Sequence, residues 1–296
     1  MLKIIKTKSY LVNAEQILRF AQEQKFAIPH ININNLEWVQ AALIAAEEMK
    51  SPIILGVSEG AVKYIGGHKI VVDIVNDAIS SLGISIPVVL HLDHGSYEGC
   101  FKAIKAGFSS VMFDGSHLPF NENLSKSTII SKYCSKKKIS LELEIGTIGG
   151  IEDNIKSNGE LANLHECITI SKLKFAFLAA GIGNIHGVYP TNWVGLDFNL
   201  LEKIATSTQK GIVLHGGSGI PDEMIKKAIS LGVRKINVNT ECQIAFSLAL
   251  QGFFRDNSNI LESKMYDPRK YLKLGKEAIK QVCCEKMKLF GSANRY

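Results

Sequence analysis

The sequence predicts an α/β protein folded as a single (β/α)8 (TIM) barrel, and three observations lead to that prediction. Short apolar runs rich in β-branched residues recur eight times along the 296 residues. Helical patterns lie between most of these runs. No Pro-, Gly- or Ser-rich linker divides the chain, which favours one barrel domain over residues 1–296, with a C-terminal helical extension, over two domains.

The eight apolar runs are continuous rather than alternating in polarity, which is typical of parallel strands covered by helices. The predicted strands span residues 28–32, 52–58, 87–93, 109–115, 140–146, 176–182, 211–217 and 235–239. The predicted helices span residues 36–49, 69–82, 97–106, 121–137, 199–206, 222–231, 241–255 and 268–289. Between the fifth and sixth strands, residues 147–165 read as a long polar, glycine-rich loop, and such a loop indicates a functional segment.

Composition and charge exclude several classes of protein. The chain has 46% hydrophobic and 21% charged residues, and no apolar run reaches the roughly 18 residues of a membrane span. Its net charge of +6 comes from dispersed lysines without interleaved aromatics, so we expect phosphorylated small molecules rather than nucleic acid as the anionic partners. The start of the chain has no signal-peptide pattern, and the six cysteines form no CxxC pair. A cytoplasmic location with reduced thiols is the expectation.

Three histidines follow the ends of predicted strands: His94 after the third, His186 after the sixth and His215 at the end of the seventh. In a barrel these strand ends meet at one rim, where active sites lie. Any one of them alone is more simply a hydrogen-bonded rim residue, but three imidazoles on one rim are the ligand set of an open catalytic zinc site. Structural roles are expected for the other five histidines, namely His30, His68, His91, His117 and His165.

Carboxylates lie close to the same strand ends. Asp93 precedes the first rim histidine, Asp114 ends the fourth strand, and Glu142 and Glu144 share one face of the fifth. A charge inside a strand is costly unless it is paired or ligates a metal, and no strand offers an obvious interior lysine as a partner. We therefore expect Asp114 and Glu144 at or beside a metal. The residue pattern alone places Glu152, in the glycine-rich loop, on a solvated surface.

Two turns after the last predicted strands are suited to binding an anion. Residues 215–219 (HGGSG) lead through Pro221 into a helix, and residues 237–240 (NVNT) lead into the next. Backbone N–H groups at such turns face an oxyanion, and the loops after strands seven and eight of a barrel frequently bind phosphate. The pattern therefore predicts a phosphate site at this part of the rim.

Seven motifs together resemble the class II (zinc-dependent) fructose-1,6-bisphosphate aldolases over about residues 11–296. The motifs, in chain order, are HLDHG (91–95), VMFDGSH (111–117), LELEIGTIGGIED (141–153), GNIHGVY (183–189), LHGGSGIPDE (214–223), GVRKINVNTE (232–241) and YDPRKY (266–271). The resemblance implies a (β/α)8 barrel that assembles as a homodimer or homotetramer. It also implies the glycolytic and gluconeogenic reaction that cleaves fructose 1,6-bisphosphate reversibly to dihydroxyacetone phosphate and glyceraldehyde 3-phosphate.

The resemblance also implies a metal site. His94, His186 and His215 match the family's catalytic zinc ligands, and Asp114 and Glu144 match the carboxylates of an alternative or second metal position. Zinc would polarise the ketone of dihydroxyacetone phosphate and stabilise the enediolate left when the C3–C4 bond breaks. The resemblance also implies a second divalent metal or a monovalent cation as a further cofactor.

Two residues match the family's proton-transfer groups. Asp93 matches the acid/base that handles the C4 hydroxyl proton. Glu152 matches the mobile-loop glutamate that helps to exchange the C3 proton. Closure of the 147–165 loop would shield the reaction from water.

The remaining matches concern the two phosphates of the substrate. Ser58, together with Arg269 from a neighbouring subunit, matches the aldehyde-side phosphate site. The residues that match the dihydroxyacetone phosphate site are Gly187, Gly216, Gly217, Ser218, Asn237, Val238, Asn239 and Thr240. Some family members carry Asp where this chain has Asn239.

Four alternative functions are less consistent with the sequence. A tagatose-1,6-bisphosphate aldolase is nearest, but members of that branch resemble HGAS and NVAT where this chain has HGGSG and NVNT. A Schiff-base aldolase needs a lysine at the catalytic end of a strand, and Lys235 is expected at the wrong end of the eighth. A metal-dependent barrel hydrolase commonly carries HxH on its first strand, whereas Ile31 and Asn32 follow His30. A non-enzymatic nucleic-acid or surface-binding role rests on the positive charge alone.

Overall fold

Eight parallel strands close into a barrel in the computed structural model, which describes residues 11–152 and 155–296 and only the backbone at 151, 152, 155 and 156. The strands are β1 (Ile28–Asn32), β2 (Ile53–Ser58), β3 (Val88–Gly95), β4 (Ser110–Phe113), β5 (Ser140–Ile145), β6 (Gly149–Glu152), β7 (Ile155–Ser157), β8 (Phe177–Ala180), β9 (Ile185–His186), β10 (Gly211–Leu214) and β11 (Val233–Val238). The barrel order is β1-β2-β3-β4-β5-β8-β10-β11, and β11 pairs in parallel with β1. The predicted (β/α)8 barrel is confirmed.

Helices surround the barrel and close its floor. They are α1 (Ala14–Gln24), α2 (Leu36–Glu48), α3 (Glu59–Ile65), α4 (His68–Ser81), α5 (Tyr97–Ala106), α6 (Phe120–Lys137), α7 (Leu164–Ile170), α8 (Phe198–Thr208), α9 (Asp222–Ser230), α10 (Thr240–Asp256) and α11 (Pro268–Leu289). Eight of them match the predicted helices to within two residues at each end. Among the described residues no helix is both long and apolar enough to cross a membrane.

Three helices, α1, α3 and α7, were not predicted from the sequence. The first of these, α1, begins at the N-cap Asn13 and buries the stripe Ala14, Ile17, Leu18 and Ala21. This i, i+3, i+4, i+7 spacing is that of an amphipathic helix. The stripe packs against interior residues of the barrel, so α1 forms the floor of the barrel rather than part of its outer layer.

Side chains alternate between the two faces of each barrel strand, as the pleat requires. In β3, Leu90 and Leu92 join the core between strands and helices, whereas Val89 joins the apolar cluster above α1. His91 and Asp93 follow Val89 on the interior face and are fully buried. The barrel interior is therefore apolar at its floor and polar towards the carboxyl ends of the strands.

Two parts of the predicted 147–165 loop, Gly149–Glu152 and Ile155–Ser157, are strands, so that expectation was wrong in part. Here β6 pairs antiparallel with β7 and parallel with β9, and the three strands form a small sheet outside the barrel. The glycines that read as loop residues start β6, which pairs Gly149 with Ile185 and Gly150 with His186. The side chain of Glu152, the predicted mobile-loop residue, lies outside the described part of the chain.

Candidate active site

A bulge at the end of β3 places two consecutive residues in the barrel mouth. Adjacent residues of a regular strand face opposite ways, so Asp93 and His94 would not normally meet at one site. The pairing register with β4 shifts between Leu92 and Gly95, and His94 has a φ of +45°. A left-handed backbone at a residue other than glycine is strained and is found at functional sites. Here it turns the imidazole of His94 towards the interior side already occupied by Asp93.

Three histidines from three separate segments meet at this rim. The ring centroids of His94 and His215 are 4.7 Å apart, those of His94 and His186 are 5.0 Å apart, and those of His186 and His215 are 5.7 Å apart. One nitrogen from each ring lies within 4.8 Å of the others. Three imidazole nitrogens at this spacing fit a single divalent ion with a further position for water or substrate. The arrangement brings together the three predicted zinc ligands.

Two carboxylates fix the tautomers of two of these rings. The Nδ1–H of His94 donates to Oδ2 of Asp114 at 2.9 Å, which places the lone pair of that ring on Nε2. The Nε2–H of His215 donates to Oε1 of Glu142 at 2.9 Å, which places its lone pair on Nδ1. The Nδ2 amide of Asn237 lies 3.3 Å from that Nδ1. A carboxylate behind a ligating histidine is the usual device for orienting it, and both rings carry one.

Asp114 and Glu144 lie side by side with unequal partners. Both oxygens of Asp114 accept hydrogen bonds, Oδ2 from His94 and Oδ1 from the backbone and hydroxyl of Ser116. Burial acts to raise the pKa of Asp114, but the bonds from His94 and Ser116 outweigh it and hold that pKa well below its usual range. Burial, reinforced by the charge of Asp114, raises the pKa of the Glu144 carboxyl well above its usual range. His94, Asp114 and Glu144 form a second group that could hold a metal ion.

Asp93 is held from three sides at the base of the mouth. Its carboxylate is fully buried, and Oδ2 accepts from the Nδ2 amide of Asn32 at 2.8 Å. Oδ1 accepts from the Nδ2 amide of Asn237 at 3.3 Å, and Nε2 of His30 lies 3.6 Å from Oδ2. Because both asparagines donate to it, Asp93 is presented as a hydrogen-bond acceptor beside the rim histidines.

The barrel interior contains a lysine, which corrects the sequence analysis. Lys235 is the third residue of β11 rather than its first, and its side chain is fully buried. Its Nζ lies 2.9 Å from Oε2 of Glu142 and donates to Oδ1 of Asn237 at 2.8 Å. The statement that no strand supplies an interior lysine was therefore wrong. Glu142 is therefore buried in contact with the ammonium of Lys235 and with Nε2 of His215.

The small sheet positions His186 between two glycines. An added Cβ at Gly150 of β6 would lie 2.1 Å from the carbonyl oxygen of His186. An added Cβ at Gly216, after β10, would lie 2.0 Å from the carbonyl oxygen of Ile185. Both glycines also have positive φ angles, of +97° and +64°. Only glycine allows the backbone to approach β9 this closely, so the segment carrying His186 is clamped at both faces.

The two predicted phosphate turns lie side by side after β10 and β11. The backbone N–H of Gly217 donates to the carbonyl of Asn237 at 2.8 Å and joins the turns. Ser218 Oγ accepts from the N–H of Glu241 in the first turn of α10, which Thr240 begins. Gly187, with a φ of +89°, follows His186.

Two of the predicted phosphate residues direct their side chains elsewhere. The amide of Asn237 contacts Lys235, Asp93 and His215. Val238 is buried in the core between strands and helices and contributes no side chain to the rim. Asn239 has a buried Oδ1 without a hydrogen-bond partner among the described residues.

The last two residues predicted to bind substrate, Ser58 and Arg269, lie in different surroundings. Ser58 ends β2 in register with Asp93, and its Oγ accepts from the N–H of Ala61 as the N-cap of α3. Arg269, near the start of α11, is 89% exposed, and its guanidinium bonds to Asp267. A single chain therefore places Ser58 beside the mouth and Arg269 on the outer surface.

Comparison with known proteins decides the family. A family model described as fructose-bisphosphate aldolase class-II matches residues 12–295. The chain belongs to the class II fructose-bisphosphate aldolases. It is 54% identical over 286 residues to the fructose-bisphosphate aldolase of Mycoplasma pneumoniae, covering 96% of this chain and 99% of the relative. The corresponding enzyme of Streptococcus pyogenes serotype M1 is 48% identical over 291 residues, covering 96% and 99%.

Solved structures agree with this assignment. The crystal structure of the fructose-bisphosphate aldolase of Campylobacter jejuni superposes with a TM-score of 0.82 at 25% identity, covering 97% of each chain. Membership of this family makes the chain an aldolase and thus a lyase. The expected family, fold and enzyme class are confirmed.

Three further polar residues lie close to Asp93 in this aldolase barrel, namely His30, His91 and Asn32. His30 and His91, for which structural roles are expected, form a third group of potential ligands with Asp93, and all three are fully buried. Burial, reinforced by the charge of Lys235, lowers the pKa of both imidazoles well below the usual range. Asn32, which holds Asp93, carried a signal in its position as the last residue of β1.

Proposed function

We propose that the protein catalyses the reversible cleavage of fructose 1,6-bisphosphate to dihydroxyacetone phosphate and glyceraldehyde 3-phosphate. The observation that carries this proposal is the convergence of His94, His186 and His215 on one rim, next to the carboxylate of Asp93. Curated relatives at 48–54% identity carry the name fructose-bisphosphate aldolase, which supports the substrate.

Zinc is the proposed metal. Its ligands would be Nε2 of His94, His186 and Nδ1 of His215, because Asp114 and Glu142 occupy the other nitrogens of the first and third rings. Uncharged imidazoles suit zinc, and burial lowers the pKa of His215 well below the usual range. When bound, the ion acts as a Lewis acid on the substrate ketone. The group of His94, Asp114 and Glu144 is the proposed site of an alternative or second divalent metal.

Asp93 carries the proton transfer in this proposal. It accepts the C4 hydroxyl proton during cleavage and returns it during condensation, while Asn32 and Asn237 hold its two oxygens. Glu152 exchanges the C3 proton. Its place at the end of β6, whose partner β9 carries His186, supports a position near the rim.

The two phosphates of the substrate bind at opposite sides of the mouth. The dihydroxyacetone phosphate group is assigned to Gly187 and to the paired turns of Gly216, Gly217 and Ser218 and of residues 237–240, at the amino terminus of α10. In the second turn the side chains of Asn237 and Val238 point elsewhere, so their contribution is through the backbone. Asn239, whose Oδ1 is buried without a described hydrogen-bond partner, is the proposed contact for a monovalent cation. Ser58 serves the aldehyde-side phosphate.

A homo-oligomer, dimer or tetramer, completes the aldehyde-side site. Large apolar side chains are exposed along α10 and α11, among them Leu248 (59%), Ile244 (44%) and Leu274 (43%). Such a patch is typical of a protein–protein interface. Arg269 lies at the start of α11 and extends from this region, where it can reach a neighbouring subunit. Six free cysteines, five of them buried, support a cytoplasmic location, and neither a membrane nor nucleic acid is proposed as a partner.

Chelation and substrate comparison test the function together. Purified protein is assayed with fructose and tagatose 1,6-bisphosphates before and after removal of metal by EDTA. We expect fructose bisphosphate to be the better substrate, EDTA to abolish cleavage and Zn²⁺ to restore it. Borohydride added with substrate should leave no covalent adduct on Lys235. Cleavage by verified metal-free protein, or an adduct on Lys235, would contradict the mechanism, and a preference for tagatose bisphosphate would change the substrate.

Mixed oligomers test the position of Arg269. Arg269→Ala should raise KM for fructose bisphosphate by the equivalent of about 1.5–3 kcal/mol, as for a charged hydrogen bond. When Arg269→Ala and Asp93→Ala chains exchange subunits, some sites become wild-type at both positions if Arg269 acts across the interface, and activity partly recovers. Exchange verified by mass without recovery would place Arg269 in its own chain's site or in none.

A further inference from the structure

Lys235 lies at the centre of a closed hydrogen-bond network beneath the catalytic groups. Its Nζ contacts Oε2 of Glu142 at 2.9 Å and Oδ1 of Asn237 at 2.8 Å, and its side chain is fully buried. From these two residues the network continues to His215, through Glu142, and to Asp93, through Asn237. The proposed mechanism gives this buried cation no role.

The donor and acceptor chemistry gives the network a direction. A lysine ammonium donates hydrogen bonds and accepts none, so the group of Asn237 that faces it must be the carbonyl Oδ1. The Nδ2 amide of Asn237 must then face the opposite side, where it lies 3.3 Å from Oδ1 of Asp93. If the amide were turned over, Oδ1 would face the carboxylate and the two acceptors would repel each other. The contact with Lys235 excludes this orientation.

We propose that Lys235 is a positioning residue for cleavage, which holds the carboxylate of Asp93 in place by fixing the orientation of the Asn237 amide. The role rests on the proposed function, in which Asp93 handles the C4 hydroxyl proton. It is distinct from the role of Lys235 as counter-ion to Glu142, because the two contacts use different partner atoms. It also differs from that of a Schiff-base lysine, since the amine is engaged by two buried acceptors.

A pair of substitutions separates the two contacts. Lys235→Met alone leaves Glu142 as a buried charge, and such a variant can fail to fold. The double variant Lys235→Met/Glu142→Gln has no unpaired charge, and the amide oxygen of glutamine still accepts from Nε2–H of His215. Asn237→Ala keeps the ion pair of Lys235 with Glu142 but removes the amide group that contacts Lys235, Asp93 and Nδ1 of His215. Lys210→Met, which removes a half-buried lysine bonded to the carbonyls of Leu173 and Phe175, is the matched control.

Two reactions are compared in each variant. Cleavage of fructose bisphosphate requires the base at the C4 hydroxyl, whereas exchange of the C3 proton of dihydroxyacetone phosphate with solvent does not. We expect the double variant to retain its fold, its zinc content and KM within about threefold, while kcat for cleavage falls about 10- to 100-fold, part of the range of general acid–base catalysis. Proton exchange should stay within threefold of wild type. Asn237→Ala should show the same pattern, and adding it to the double variant should cause no further loss.

Several results would overturn this role. Wild-type kcat in the double variant would reduce Lys235 to a counter-ion of Glu142. Equal losses of cleavage and exchange would place its effect on the metal side, through His215. If the double variant does not fold, normal cleavage by Asn237→Ala overturns the proposal by itself. Failure of the wild-type chain to cleave fructose bisphosphate would instead refute the proposed function, and the positioning role with it.

Discussion

Glu142 and Glu144 lie two residues apart on β5, face the same side and are both buried, yet their surroundings are opposite. Glu142 belongs to a lower layer, formed by His30, His91, Glu142 and Lys235, in which one lysine neutralises one carboxylate. Glu144 belongs to a rim layer with Asp114 and the three rim histidines, in which the described residues bring no lysine or arginine into the ligand groups.

The difference between the two layers indicates where a metal cation can bind. The lower layer supplies its own positive charge, and a metal there would meet the ammonium of Lys235. The rim layer has carboxylates in excess and imidazoles that are neutral when they ligate, which suits a divalent ion. Identical residue types on one strand thus differ in their electrostatic surroundings according to the charge that the other strands bring opposite them.

Substitution of the two glutamates should give the largest difference in stability between the two layers. Glu142→Gln leaves Lys235 as a buried cation without its counter-ion and should lower the free energy of unfolding by about 3–5 kcal/mol. Glu144→Gln should lower it by less than about 1 kcal/mol, because burial raises the pKa of Glu144 and glutamine mimics the neutral acid. Urea denaturation of both variants in EDTA measures the difference. Equal losses would show that the two layers do not differ in charge balance.

Adding a side chain inside the lower layer should give the next largest loss of stability. An added Cβ at Gly56 of β2 would lie 1.7 Å from Nε2 of His30, whose ring is fully buried. Gly56→Ala should therefore cost about 1–3 kcal/mol of stability, as overpacked cores do. In a His30→Ala background the same change should cost much less. Gly252→Ala in α10, where an added Cβ meets nothing within 4 Å, is the control and should not destabilise.

The pH dependence of stability should show the smallest effect. Burial, with the charge of Lys235, lowers the pKa of His30 well below its usual range, so the folded state keeps the imidazole neutral. The unfolded chain binds a proton near pH 6.5, so stability is present above that pH and is lost below it, by up to about 1.4 kcal/mol per pH unit.

Urea unfolding at pH 7.5 and 5.5, in EDTA, tests this contribution. His30→Gln should flatten the slope by about one proton relative to wild type, and His165→Gln, at an exposed position, should leave it unchanged. An unchanged slope in His30→Gln would mean that the lower layer accepts a proton on this ring.

Local patterns were enough to predict most of the architecture. The helices α5 and α11 begin and end at the predicted residues, because the N-cap Ser96 and the Asp267–Pro268 pair mark their starts in the sequence. The barrel strands were visible as continuous apolar runs. The rim histidines followed from strand ends alone, which is the rule for active sites in barrels.

The features that escaped prediction depend on distant residues or on broken periodicity. An inward lysine at position 235 makes sense only opposite Glu142, which lies 93 positions earlier on another strand. A register shift between β10 and β11, and another at the end of β3, interrupts the alternation from which a side chain's direction is inferred. The small sheet of β6, β7 and β9 was hidden because its glycines favour a loop when they are considered alone.

That small sheet restricts how the enzyme can be re-engineered. The strand partner of His186 is Gly150 of β6, which lies outside the barrel. Shortening the 147–165 segment to widen the mouth for bulkier substrates would remove that partner and with it the support of His186, a proposed zinc ligand. The loop between β4 and α6 does not touch this pairing, but it carries Asp114, which bonds to His94. Libraries that vary substrate size should therefore leave β6, β9 and Asp114 intact.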